Sequence, residues 1–176
     1  MEMPQKPQPL NTYLDQTFTC SCGKEHYAPL KVVRIGPSAL NDLPRIAREQ
    51  GFQSLYLVSD TTTYQIAGKR CLELLEAAGA KAKLIQLTHT GFDEATLGEL
   101  VIHMPADCDL VVAVGTGAIN DMVRFFSFKM GRPFFTVATA APMDGFASSI
   151  AALNVNHLKT TFEVLPQGAD QPGGLG

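Results

Sequence analysis

The sequence predicts a doubly wound α/β domain built on a mostly parallel sheet, and three observations predict it. Short runs that are apolar on both faces recur along the chain, DLVVAVG (109–115) being the clearest. Amphipathic stretches of helical period separate them, and a glycine or a capping acid stands at most junctions. Strands buried on both faces belong to parallel sheets, because the crossover helices cover both surfaces.

The elements follow in order. KVVRIG (31–36) reads as a first strand. Pro37 then opens a helical pattern in which Leu40, Leu43, Ile46 and Ala47 recur at spacings of three and four, ending at Gly51. SLYLVSD (54–60) is a β-rich run that ends in an acid. Thr61 to Thr63 are placed to cap the next helix, whose Ile66, Leu72, Leu75 and Ala78 share a face up to Gly79. AKLIQL (82–87) is a strand, and Asp93 caps a helix running to about His103. After DLVVAVG comes a helix from Ala118 to about Met130 with Gly131 as its stop, and then the strand FFTVAT (134–139). Residues 1–17, rich in Pro, Gln and Asn, read as a loose arm, 18–165 as the folded domain, and 166–176 as an unstructured tail without periodicity.

Composition narrows the function classes. With 176 residues, 45% of them hydrophobic, the chain has enough apolar material for one full α/β core without disulfide staples. A net charge of −3 argues against a nucleic-acid or anionic-membrane partner, since both require a basic face. The N-terminal stretch lacks an apolar signal core, so a cytoplasmic protein acting on a small molecule is the expectation. Four cysteines without a C-x-x-C pair fit a reducing compartment, with Cys71 and Cys108 as small buried thiols.

Ligands of open parallel sheets gather at the carboxyl ends of the strands, so the residues after each strand carry the functional information. GTGAIND (115–121) follows the most apolar strand and opens a helix. Its glycines allow a sharp turn and a close backbone approach, and amides at a helix start favour a phosphate. A plain glycine turn explains the same pattern, and the usual dinucleotide fingerprint is not met, because Asn120 stands where a third small residue is expected. Asp60 offers a carboxylate that could accept both hydroxyls of an adenosine ribose and repel a 2′-phosphate, or could simply cap the next helix. TAAPMDGFASS (139–149) gathers small residues, hydroxyls and one carboxylate after a buried strand, which suits a ligand crevice or a capped helix start at Asp144 or Ser148. His26, His89, His103 and His157 are scattered, with no H-x-x-x-H and no acidic helper, and Cys20, Cys22 and His26 would lack a fourth zinc ligand. No metal site is expected in this chain.

Together these segments resemble the N-terminal domain of the sn-glycerol-1-phosphate dehydrogenase family, within the wider group of iron-containing alcohol dehydrogenases, glycerol dehydrogenases and dehydroquinate synthases. The matching stretches are GTGAIND, RFFSFKMGRP (124–133), TVATAAPMDGFASSIAAL (136–153) and CSCGKEH (20–26), the last resembling a short Cys-containing hairpin. The resemblance implies a Rossmann-like domain of the dehydroquinate synthase-like fold. It implies that Gly115, Thr116 and Gly117 hold the NAD pyrophosphate, that Asp121 closes that motif, and that Asp60 meets the adenosine ribose, favouring NAD over NADP. Thr139 would touch the cofactor, while Asp144 and Ser148 would lie on the substrate side. Related loops often carry a lysine where this chain has Ala118, so that contact is not expected here.

In the family an all-helical second domain supplies an Asp and two His ligands to a divalent metal (Zn, Ni or Fe), which polarises the substrate carbonyl. Those ligands are expected beyond residue 176, so the chain is expected to be cut short near Leu165 and to turn over little substrate. A domain without its partner would expose an apolar face, so self-association, as in a homo-oligomer, or poor solubility is expected. The sequence also admits other readings: a glycerol or other alcohol dehydrogenase, a dehydroquinate synthase relative, or a nucleotide-binding module without catalysis.

Overall fold

The computed structural model describes residues 10–19, 21–27, 30–89, 91–140 and 145–164. Its contacts divide the chain into two units, residues 1–35 and 36–176.

In the first unit, strands β1 (Thr17–Thr19) and β2 (Glu25–Tyr27) pair antiparallel, Phe18 opposite His26. The Phe18 ring sits between Tyr13, edge-on at 5.1 Å, and His26, stacked at 5.8 Å. The Tyr27 hydroxyl donates to Asp15 Oδ1 at 2.6 Å. This is the Cys-containing hairpin the sequence led us to expect. Of the arm expected over 1–17, Leu10–Thr12 form a 3-10 turn; residues 1–9, and the tail 166–176, lie outside the described residues. KVVRIG is not a strand. Its apolar residues alternate as a strand's would, but a strand exists only through a ladder partner; these residues have none, and Ile35 is 86% exposed.

The second unit is built on four parallel strands, β3 (Ser54–Ser59), β4 (Lys81–Gln86), β5 (Leu110–Val114) and β6 (Phe134–Val137), in the order β4-β3-β5-β6. Helix α1 (Leu43–Glu49) precedes β3. A continuous helical segment follows β3: α2 (Thr61–Thr63), a π-turn (Tyr64–Gly68) and α3 (Lys69–Ala77). Helix α4 (Glu94–His103) leads to β5, and α5 (Ala118–Met130) joins β5 to β6.

Alternation along the strands produces two cores, one on each face. Leu55 and Leu57 of β3, with Leu110, Val112 and Val114 of β5, pack on α1 and α3 through Leu43, Ala47, Cys71 and Leu75. Tyr56, Val58, Val111 and Ala113 pack the other way, on Leu100 of α4 and Met122, Val123 and Phe126 of α5. Two buried faces explain why these strands read as continuous apolar runs. The sheet is doubly wound, as the sequence predicts.

Three local expectations are corrected. The first helix proper begins at Leu43, after a 3-10 turn (Ala39–Asp42), instead of at Pro37. Pro44 sits in its first turn, where a missing N–H removes no bond. Next, of the caps offered for the following helix, the N-cap is Asp60, as its other reading had it, and of the threonines only Thr63 takes part: Asp60 Oδ1 accepts from the Thr63 amide at 2.7 Å, while Thr63 Oγ1 accepts from the Asp60 amide at 3.0 Å. Ile66, finally, is 60% exposed. The buried side chains of that segment, Thr63, Ala67, Cys71 and Leu75, stand four apart, with Gly68 buried beside Ala67. In a pure α-helix that spacing drifts about 40° per step; the wider π-turn absorbs the drift and turns Ile66 out to solvent.

A hairpin that the sequence reading did not foresee closes the unit. Strands β7 (Ile150–Val155) and β8 (Leu158–Glu163) pair antiparallel around Asn156 and His157, both at positive φ (50° and 65°). This is the two-residue loop whose twist matches a hairpin. The helix start weighed at Asp144 or Ser148 is not formed at Ser148, which leads into β7; Asp144 lies outside the described residues.

Candidate functional site

Strands β3, β5 and β6 end side by side. Val58 pairs with Ala113, and Val114 with Val137. Asp60, Gly115–Gly117 and Thr139, each just past one of these ends, therefore share one edge of the sheet. The amide of Gly115 donates to the carbonyl of Val137 at 3.0 Å, which draws the turn after β5 against the end of β6.

Both glycines of that turn are needed. A Cβ on Gly115 would stand 2.7 Å from Ile119 Cδ1 and 3.0 Å from Ile119 Cβ, and Ile119 is core. Gly117 has φ 52° and ψ −112°, a conformation that side chains oppose. Gly117 is also the N-cap of α5, and it brings no side chain to cap the helix. The other helix starts at this edge differ. Asp60 caps α2, and Asp93 Oδ1 accepts from the amides of Ala95 and Thr96, both at 3.1 Å, at the start of α4. At α5 the intrahelical bonds begin with the Asp121 amide donating to Gly117 at 2.9 Å. The amides before it meet no capping side chain, Thr116 and Gly117 are half-buried, and Ala118 is exposed. An uncapped helix start with a glycine turn before it suits an anion.

Behind the turn, polar side chains fix the helix. Asn120 is buried; its Oδ1 accepts from Thr136 Oγ1 of β6 at 2.8 Å, and its Nδ2 donates to Asp121 Oδ1 at 3.4 Å. A hydroxyl on β6 thus gives a polar side chain a place where the usual fingerprint has a small residue. Asp121 faces the hairpin: its Oδ2 accepts from the Ala152 amide at 3.3 Å, and its Oδ1 lies 3.6 Å from Arg124 Nη1. Ser148 Oγ accepts from the Ile150 amide at 3.1 Å, shaping the turn into β7.

The sequence reading missed Arg124, which is 3% exposed. Its Nη1 donates to the Ile150 carbonyl at 2.8 Å, and its Nη2 to the carbonyls of Phe146 (3.2 Å) and Gly145. Burial pushes the guanidinium pKa down, and Asp121 opposes that shift. Its position three after Asp121, between Val123 and Phe125 in the apolar middle of α5, was the available signal.

His89 does have an acidic partner, against expectation: Nε2 lies 2.9 Å from Asp93 Oδ2. The pair holds the start of α4, and the His89 hydrogen bond leads the causes that bring the Asp93 carboxyl down to about 2. Among the described residues no three His, Cys, Asp or Glu side chains are grouped to hold a metal. Cys22 Sγ and His26 Nε2 meet at 3.2 Å, and Cys20 lies outside the described residues. No helix among the described residues is long and apolar enough to cross a membrane.

A hollow of about 470 Å³ opens at the other end of the strands, lined by Arg45, Arg48, Phe52, Lys81 and Asp107. Its Arg45 is already paired with Asp42 and Glu49, and Lys81 with Asp107. The chemistry of the carboxyl edge, not this hollow, marks the candidate site.

Fold and site together define a doubly wound parallel domain with an anion-competent turn at its carboxyl edge. The sequence matches the family model for iron-containing alcohol dehydrogenases over residues 34–170, and the chain belongs to that family. Its curated relatives include the glycerol-1-phosphate dehydrogenase (NAD(P)+) of Halalkalibacterium halodurans, 35% identical over 150 residues, which cover 82% of this chain and 38% of the relative. The protein of the same name from Bacillus licheniformis is 36% identical over 162 residues, covering 88% and 40%. The chain thus spans about two fifths of the length of these relatives. Among solved structures, an alcohol dehydrogenase from Oenococcus oeni aligns with TM-score 0.66 and 17% identity over 73% of this chain and 40% of its own. A glycerol dehydrogenase from Schizosaccharomyces pombe aligns with TM-score 0.61 and 17% identity, covering 71% and 32%. These two likenesses show the fold, the Rossmann-like domain that the resemblance implied.

Proposed function

We propose that the carboxyl edge of the sheet binds NAD, and that these residues form the dinucleotide-binding part of a glycerol-1-phosphate dehydrogenase. The observation that carries the reading is the start of α5, a glycine turn followed by a helix end without a capping side chain. The diphosphate rests on the amides from Thr116 onward, held by hydrogen bonds and by the helix dipole. Gly115 and Gly117 keep side chains out of that approach. The adenosine ribose lies at Asp60, whose Oδ1 is engaged in the cap; its second oxygen accepts from the hydroxyls and repels a 2′-phosphate, so NAD is preferred over NADP. Thr139 meets the cofactor just past β6, and Ser148 serves the substrate side, as does Asp144, whose role is carried by the resemblance alone because it lies outside the described residues. Asp121 acts from behind the turn, bracing α5 against the hairpin.

The proposed reaction interconverts dihydroxyacetone phosphate and glycerol 1-phosphate by hydride transfer, NAD supplying or accepting the hydride. The curated relatives' names support this choice of substrate. The described residues do not assemble a metal site, so the Zn, Ni or Fe proposed for the whole enzyme is assigned no ligand here. We further propose that this chain binds dinucleotide with little turnover. Calorimetric titration with NADH, paired with a steady-state assay on dihydroxyacetone phosphate, tests both statements. Saturable one-to-one binding with negligible turnover is the expected result. Absence of binding refutes the cofactor reading, and ordinary turnover refutes the second statement.

A further inference from the structure

The β7–β8 hairpin has one engaged edge and one open edge. On β7 the Asn154 amide donates to the Phe92 carbonyl at 3.1 Å, and the Ala152 amide donates to Asp121 Oδ2 at 3.3 Å. On β8 the ladder alternates. Leu158, Thr160 and Phe162 turn their backbone toward β7, opposite Val155, Leu153 and Ala151. The same series continues with the Val164 amide donating to the Ser149 carbonyl at 2.7 Å. Lys159, Thr161 and Glu163 therefore turn their amides and carbonyls away from the hairpin. Among the described residues these backbone groups meet no partner, and Lys159 and Glu163 enter no ion pair.

A row of open amides and carbonyls is a template for another strand, and the order of side chains decides which strand fits. Lys159, Thr161 and Glu163 stand on one exposed face, with the cation and the anion equally spaced about the central threonine. Let β8 meet β8 of a second copy antiparallel, Thr161 opposite Thr161. Lys159 of each copy then faces Glu163 of the other. The residues so opposed are the ones whose backbone groups point outward, so hydrogen bonds and charges agree in a single register. Shifted antiparallel registers lose the charge pairs, and an in-register parallel pairing sets like charges together. On the other face Leu158, 70% exposed in the single chain, comes opposite Val164 of the second copy. Charges on an edge strand commonly keep copies apart; opposite signs placed evenly about its centre do the reverse. We infer that β8 is the contact edge of a symmetric dimer, two hairpins joining into one four-stranded antiparallel sheet with Lys159 of each copy paired to Glu163 of the other. Edges this short bury little area, so the dimer is weak and concentration-dependent.

Sedimentation equilibrium of the whole chain over a range of concentrations tests the pairing. The unaltered protein is expected to pass from monomer to dimer, with a dissociation constant that rises with salt. Lys159→Glu or Glu163→Lys alone sets like charges opposite each other twice in the dimer and should weaken association about tenfold. The two substitutions together exchange the signs and should bring the dissociation constant back to within about threefold of the original. Thr161→Pro removes an outward N–H and no bond within the hairpin, so it should abolish the dimer while circular dichroism stays unchanged. A monomer at every concentration overturns the inference. So does a dimer that the single charge reversals leave unchanged, a double variant no tighter than the single ones, or a folded Thr161→Pro protein that still dimerises. If Thr161→Pro does not fold, the charge variants decide.

Discussion

The amide of Gly115 donates to the carbonyl of Val137 at 3.0 Å, and Ile119 packs under the same glycine, leaving no room for a Cβ. The turn after β5 is thus held both by the neighbouring strand and by the helix it begins. Gly115→Ala must displace Ile119 or the backbone, an overpacking cost of about 1–3 kcal/mol. The expected outcome is a lowered melting temperature by calorimetry together with NADH affinity reduced at least about tenfold. A variant with unchanged affinity would show that the turn does not hold the ligand.

Asp60 is proposed to have two duties, and two substitutions separate them. Asparagine caps helices nearly as well as aspartate, so Asp60→Asn should leave stability almost unchanged while weakening discrimination against NADP. Asp60→Ala should weaken discrimination and also lose about 1 kcal/mol by denaturant titration. If Asp60→Asn leaves the NAD-to-NADP affinity ratio unaltered, the carboxylate serves the helix cap alone.

Asp93 gives an acid-stability prediction. Its hydrogen bond with His89, and then its bond from the Thr96 amide, lower its pKa from 3.8 to about 2. The folded state therefore binds this proton less readily than the unfolded chain. The stabilisation is full above pH 4 and fades as the pH falls toward 2. Asp93→Asn should flatten the fall in melting temperature across that window, and a curve parallel to that of the unaltered protein would refute the assignment.

His157 sits at φ 65°, where a side chain strains the backbone. His157→Gly turns the loop into Asn-Gly, the favoured two-residue hairpin sequence, and should raise stability by roughly 0.5–1 kcal/mol. Urea titration checks it; destabilisation would mean that the imidazole makes contacts worth more than the strain.

Much of the sheet was legible because its physics is local. β3 and β5 are buried on both faces and flanked by Gly51 and Gly115, so apolar runs and turn residues both pointed to strands. The Asp93 cap and the Gly131 stop, which is left-handed at φ 62°, were equally plain. KVVRIG misled because a strand's period was present without a ladder partner. The β7–β8 hairpin escaped because Asn156-His157 lacks the glycine that usually marks such a loop. Arg124 escaped for another reason: its three carbonyl partners lie 21 to 26 residues away, and no local pattern encodes them. The open start of α5, the centre of the candidate site, was half legible; sequence placed the glycines, and structure added the absence of a capping side chain.

The most direct measurement of the central claim is a crystal structure of the chain soaked with NAD. The account predicts diphosphate density against the amides from Thr116 to Ala118, with the adenosine ribose at Asp60. Density in the hollow beside Arg48 and Lys81, or a turn that stays empty at saturating NAD, would contradict it.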